Sequence, residues 1–283
     1  MTARLTGLAV HPVKSTAIRP MARAVVEPWG LADDRRWMVV DPSGECLTAR
    51  EERRLFTVTA STPSTDPGQE AALRLSAPGL DPLDVAVPQG DPVQVTVHGR
   101  PLEGVVVAEG ATAWLRDAVG HDDLRLVHVH RARALNPEYG RPGDATAFAD
   151  AYPVTLASAV SLRRLHDWLA ETALERGDDP GDPLPMTRFR PNLVVDGDLE
   201  PFEEDGWSVV TVGDVRFRVV KGVDRCVMTT VDPVSLDRGH EPIRTLARHR
   251  KRDGATWFAM QLVPEVGDVR GVVAVGDEVT PER

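Results

Sequence analysis

Proline and glycine, 23 of each in 283 residues, interrupt this chain at about every sixth position. A helical bundle does not accept that density of breakers. Proline removes a backbone donor from the helix, and glycine in a helix interior costs conformational entropy. Many short strands joined by tight turns do accept it. With 42% apolar and 27% charged residues the chain buries a real core, and its length suits one large domain or two modest ones. The expected class is mainly β with some α, an α+β protein.

Local patterns agree. Leu5 to Val10, Trp37 to Val40 and the alternating Val93 to Val97 read as strands, and the polar stretch 61–70 reads as a surface loop. Residues 110–119 have helical spacing, with Trp114, Leu115 and Ala118 on one face and Gly120 as the stop. Leu124 to Val129 reads as a strand opening a second unit, followed by a polar loop over 136–150. A second helix starts near Ser158 or Ser161, carries Leu162, Leu165, Trp168 and Leu169, and stops at Gly177. A charged, Pro-rich loop spans 178–185. Strands follow at 193–195, 209–212 and 215–220, with Gly213-Asp214 as a hairpin turn, and Gly276-Asp277 separates two short apolar runs. Two mostly-β units result, 1–121 and 122–283.

Several function classes drop out. No apolar run reaches the roughly 18 residues of a membrane span, and the start, Met-Thr-Ala-Arg-Leu-Thr-Gly, lacks the layout of a signal peptide. A formal charge of −10 argues against nucleic acid as a partner. The two cysteines, Cys46 and Cys226, are too few for a disulfide scaffold or an iron–sulfur cluster. A cytoplasmic protein with reduced thiols is expected.

Cys226 is the most informative residue. Arg225 adjoins it, and Lys221, Thr229 and Thr230 are close in sequence. Nearby cations favour the thiolate, the form that attacks or binds a metal, while Asp224 pulls the other way. A small buried hydrophobe remains the alternative. Cys46, after a turn, reads as packing, and His128 and His130 read as solvent-side residues of a strand. Basic and hydroxyl residues recur beside strands and turns: Lys14-Ser15, Arg35-Arg36, Thr48 with Arg50, and Arg188 with Arg190 and Asn192. Singly these are surface charges; together they suit a phosphorylated cofactor, because guanidinium forks match phosphate. No Gly-rich phosphate loop, GxSxG elbow or zinc-type ligand pair occurs, so side chains would have to hold the phosphate.

These segments together resemble the MOSC superfamily, and within it the two-part subgroup of the mitochondrial amidoxime-reducing component and its bacterial relatives. The resemblance rests on His11-Pro-Val-Lys-Ser15, Asp34-Arg-Arg-Trp-Met-Val-Val-Asp41 and Leu47-Thr-Ala-Arg50 in the first part. In the second it rests on Arg188-Phe-Arg-Pro-Asn192, Glu200-Pro-Phe202 with Glu204-Asp-Gly-Trp207, Arg225-Cys226 with Thr229-Thr-Val-Asp-Pro233, and Glu241-Pro-Ile-Arg-Thr-Leu246. It implies a MOSC-type β-barrel domain preceded by an N-terminal β-barrel-like domain, and a molybdenum cofactor (Mo-molybdopterin). Cys226 would be the metal's protein ligand, a soft sulfur suited to that metal, with Asp224 beside it in the catalytic centre. Lys14, Ser15, Arg36, Thr48, Arg50, Arg188, Arg190, Asn192, Arg225 and Thr229 would bind the cofactor.

The implied activity is reduction of N-hydroxylated or N-oxygenated small molecules, such as hydroxylamines and amidoximes. The chain lacks the cysteines of a ferredoxin-like extension, so electrons would come from a separate ferredoxin- or flavoprotein-type donor. Two stretches depart from the family pattern: Val223-Asp-Arg-Cys226 lacks a second cysteine, and Phe258-Ala-Met-Gln261 replaces a Phe-Gly-Gln-Asn-like run. Two other readings stand beside this one: a cofactor or sulfur carrier with a persulfide on Cys226, and a pathway-specific biosynthetic enzyme acting on one N–O substrate.

Overall fold

The short strands and frequent turns read from the sequence are what a computed structural model of the chain contains; it describes residues 3–265 and 270–283, so Met1 and Thr2 of the start lie outside the described residues. In chain order the principal strands are β1 (Ala3–Val10), β2 (Trp37–Val40), β3 (Val93–Val97), β4 (Arg100–Val106), β5 (Arg125–Val129), β6 (Val154–Ser158), β7 (Leu193–Gly197), β8 (Val209–Val212), β9 (Val215–Asp224), β10 (Ala255–Pro264) and β11 (Glu278–Glu282). The helices are α1 (Glu109–Val119), α2 (Ala159–Arg176) and α3 (Ile243–His249). The protein is mainly β, as expected.

The chain divides into two compact units. One, the Cys226 unit, comprises Met1–Leu8, Ala22–Pro28 and Val154–Arg283; the other, the Lys14 unit, comprises Ala9–Met21 and Trp29–Pro153.

The Cys226 unit is a closed seven-stranded barrel. Strand β6 runs parallel to β7. Antiparallel pairing then runs from β7 to β1, β11, β8, β9 and β10, and β10 returns to β6. Closure pairs each of these seven strands on both sides. Leu5, Leu156, Val195, Val210, Phe217 and Leu262 have no exposed surface and form the barrel core. Helix α2 begins where Ser158, the last residue of β6, caps it by accepting from the Ser161 N–H (3.4 Å). It ends at Gly177, whose left-handed backbone (φ 73°) turns its N–H back to the Ala173 and Leu174 carbonyls. Leu162 and Leu165 of α2 pack with Leu246 of α3, Phe189 and Phe258.

In the Lys14 unit a four-stranded antiparallel sheet has the order β2-β5-β4-β3. Its core holds Met38, Val40, Cys46, Val97, Val127 and Phe148. The sequence opens a second unit at Leu124, but β5 pairs with both β4 and β2 and lies inside this sheet. Gly120, left-handed at φ 68°, ends α1. That turn reverses the chain from helix to strand without ending the unit. The stretch 136–150 also differs from a plain loop. Ala145–Thr146 pairs with Arg133–Ala134, and Ala147, Phe148 and Ala149 are buried behind a polar lead-in that masks them in the sequence.

Candidate functional site

Cys226 follows directly on β9, where the β9–β10 register shifts between Val219 and Lys221 and again between Gly222 and Asp224. Such bulges bend a strand and re-aim its side chains. Gly222 is required there: a Cβ would stand 2.8 Å from Cε3 of Trp257. Cys226 then caps a short 3₁₀ turn, Val227–Thr230, and its carbonyl accepts from the Thr229 N–H (3.2 Å) and Thr229 hydroxyl (3.0 Å). The backbone of Cys226 is therefore fixed while its side chain is half-buried, unlike the buried Cys46. Asp224 is exposed, and its Oδ1 accepts from the Thr256 N–H at 3.1 Å.

Two arginines brace this segment from opposite directions. Arg225 donates to the Phe189 carbonyl at 2.6 Å and lies 5.3 Å from that ring's centroid. Arg188 reaches the other way and donates to Asp232 Oδ2 at 2.8 Å. Asp232 in turn accepts at Oδ1 from the N–H groups of Val234 and Ser235, and these bonds hold its carboxyl below the usual range. The Nε of Arg188 is buried with no hydrogen-bond partner, a donor that a bound group would satisfy. Arg190 is half-buried and left-handed (φ 50°), a conformation an arginine adopts only where its surroundings enforce it. Asn192, fully buried, accepts from the Thr155 N–H and donates its own N–H to the Thr155 carbonyl, which joins β7 to β6. Its position is thus structural as well as near the predicted residues Arg188 and Arg190.

The remaining predicted residues belong to the Lys14 unit. Ser15, also left-handed (φ 68°), is buried beside Lys14. The Lys14 ammonium donates to the Phe148 carbonyl (2.8 Å) and to Asp150. Arg36 is buried, with its guanidinium 3.6 Å over the Trp29 ring. Thr48 donates to Glu51 (2.6 Å) and accepts from the Arg50 N–H, and Arg50 donates to Asp150 (3.4 Å) and lies 3.1 Å from the His98 ring. Asp150, His98 and Trp29 were missed in the sequence. Asp150 ends a stretch that reads as a loop, and no spacing ties it to Lys14, far away in the chain.

Burial decides the other candidates. It pushes the Cys46 thiol up to about 12, which fits packing and not chemistry. His128 is half-buried against Trp37 (ring centroids 4.5 Å apart), not purely solvent-side; burial and the Arg36 charge lower its pKa. Among the described residues no group of three or more His, Cys, Asp and Glu is placed to hold a metal ion. None of their helices is long and apolar enough to cross a membrane. What the Cys226 segment offers is a half-buried soft sulfur on a backbone fixed by Thr229, next in sequence to an arginine held by the Phe189 carbonyl.

Two family profiles match the chain: the MOSC N-terminal beta barrel domain over residues 2–122 and the MOSC domain over residues 143–280. Mitochondrial amidoxime reducing component 2 of Rattus norvegicus is 30% identical, the match covering 95% of this chain and 80% of that protein. Mitochondrial amidoxime-reducing component 1 of Mus musculus is 29% identical, over 96% and 80% respectively. Molybdenum cofactor sulfurase of Danio rerio is 28% identical over 98% of this chain, which spans only 34% of that longer protein.

Proposed function

Because this chain belongs to the two-domain MOSC family, we propose that it is a molybdenum-cofactor-dependent oxidoreductase reducing N-hydroxylated substrates such as hydroxylamines and amidoximes, with electrons from a separate redox protein. The relatives named for amidoxime reduction support the reaction class. The observation that carries the reading is the mounting of Cys226: a half-buried thiol on a backbone locked by Thr229, at the end of a bulged barrel strand.

The residues present fit such a cofactor. One soft sulfur is the protein's share of the metal's ligands, and the buried, unpaired Nε of Arg188 is a donor suited to an anionic or heterocyclic group. Cys226 would hold the metal, with Arg188, Arg190, Asn192, Arg225 and Thr229 around the pterin. The chemistry the bound group supplies is two-electron reduction of an N–O bond, in which two protons are taken up and the oxygen leaves as water. Asp224, exposed two residues before Cys226 and held by the Thr256 N–H, is assigned to the catalytic centre by family resemblance. Arg225 and Arg188 keep the 3₁₀ turn from moving as substrate enters. Lys14, Ser15, Arg36, Thr48 and Arg50 are assigned to the cofactor by family resemblance.

The test is elemental analysis for molybdenum and zinc on protein made in a host that synthesises the cofactor, with reduction of an amidoxime by a chemical electron donor assayed alongside. Near-stoichiometric molybdenum and turnover are expected, one or both lost in Cys226→Ala. A Cys226→Ala protein that keeps both sinks the assignment.

A further inference from the structure

The Cys226 unit holds a cavity of about 490 Å³, bounded by one face of α2, the loop at 178–184 and the start of α3. That volume falls within the roughly 300–1,000 Å³ of small-molecule sites. None of its lining residues belongs to the Cys226 segment or to the predicted cofactor set. Leu169, Ala170 and Ala173 of α2 recur at helical spacing, and the two alanines leave room that larger side chains would fill. The loop adds Leu184, whose carbonyl accepts from His166 Nε2 at 2.8 Å, which ties the loop's end to the helix.

The charge around this apolar strip is one-sided. Five carboxylates line the cavity, those of Asp167, Asp178, Asp179, Asp182 and Glu241, against the guanidinium groups of Arg176 and Arg244. Glu241 lies 3.8 Å from Arg244, and Asp167 lies 3.6 Å from Arg164. The loop acids are less satisfied. Asp179 accepts from the Gly181 N–H at 3.0 Å, while the exposed Asp178 and Asp182 have no side-chain partner among the described residues. Two further features favour a cation. Helix α2 ends here, at Gly177, and presents the negative end of its dipole. Thr172, 6% exposed, lines the cavity with a hydroxyl that bonds to no described residue, a buried acceptor left for an incoming donor.

The carboxylates are too dispersed for a metal ion. Among the described residues no three His, Cys, Asp or Glu side chains are placed to share one, and a compact divalent cation sheds its water only for oxygens that converge. A single ammonium would leave most of the acids unmatched. Separated negative charges joined by an apolar strip match separated positive charges joined by methylenes. We infer that this cavity is a binding site for a linear aliphatic polyamine. Its ammonium groups sit on the loop acids, the Thr172 hydroxyl and Glu241, and its methylenes lie on Leu169, Ala170 and Ala173. The site is independent of the cofactor proposed above.

The full chain is titrated calorimetrically with spermidine at constant ionic strength, with magnesium chloride as a compact cation and triethylene glycol as an uncharged chain. Spermidine is expected to bind at one site per chain, and the two controls to give no saturable heat. Asp178→Asn/Asp182→Asn should weaken spermidine binding by about tenfold or more. Asp91→Asn/Asp117→Asn, which removes two exposed acids of the Lys14 unit, should keep the wild-type affinity. Ala173→Trp, on the half-buried face of α2, fills the strip and should abolish binding with the helical circular dichroism unchanged. A wild type that takes up no spermidine overturns the inference, as does magnesium binding of equal strength, or a loss in the Lys14-unit variant as large as in the loop variant. Asparagine at two exposed loop positions strands no buried charge, so that comparison stands even if Ala173→Trp does not fold. An unchanged spermidine affinity in Asp178→Asn/Asp182→Asn overturns the inference.

Discussion

Glu204 has 1% of its surface exposed, accepts a hydrogen bond from the Ser161 hydroxyl at 2.9 Å, and leaves Oε1 buried without a partner. Burial raises its pKa from 4.5 to about 7. For an acid whose pKa is raised by folding, the native state binds the proton more tightly, so ionisation opposes folding. The penalty is absent below about pH 4.5, grows as pH rises through 7, and then levels off at roughly 3 kcal/mol. Wild-type stability should therefore fall between pH 5 and pH 8 by more than that of Glu204→Gln, and the variant should be the more stable at pH 8; urea midpoints at both pH values check this. Burial governs Cys46 in the same way. Cys46, with 8% exposure and a thiol pushed up to about 12, should resist iodoacetamide at pH 8 in the native protein and react only on unfolding, as peptide mass spectrometry would show. Labelling of Cys46 in folded protein would contradict its placement in the core.

Single elements were legible where periodicity and punctuation coincide. Helix α2 was readable at both ends because Ser158 can cap and Gly177 can go left-handed. Strand β8 and the start of β9 were readable because burial alternates on either side of Gly213-Asp214. The far half of β9 was not, since Lys221 to Asp224 lose alternation where bulges re-aim the strand, and those are the residues that lead into Cys226. Likewise the predicted cations could be named, but their common partner Asp150 could not, because only the fold brings it to Lys14. The functional end of β9 is also fragile. Gly222→Ala should cost about 1–3 kcal/mol by forcing Trp257 aside, visible as a lowered unfolding midpoint with altered tryptophan fluorescence.

At the scale of the molecule, the domain line near residue 121 follows a helix stop, whereas the units interleave. The Cys226 barrel needs β1 between β7 and β11, and the Lys14 sheet needs β5 between β2 and β4. A fragment of residues 122–283 lacks β1, which leaves β7 and β11 with open edges; a fragment of 1–121 lacks β5. Neither half should fold alone, each giving a broad, non-cooperative melt by circular dichroism where the full chain melts sharply. A sharp, reversible transition in either half would show that the missing strand is dispensable.

The place of β1 in the barrel has a consequence for synthesis. It leaves the ribosome long before its partners β7, which begins at residue 193, and β11, which lies at the end of the chain. Meanwhile the intervening Lys14 unit has all of its own strands. Translation thus imposes an order that pairing alone does not: the middle of the chain can settle first, while β1 waits with its hydrogen-bonding groups unmatched. Chaperone dependence, or misassembly between nascent chains sharing a polysome, would fall on the earliest strand of the barrel.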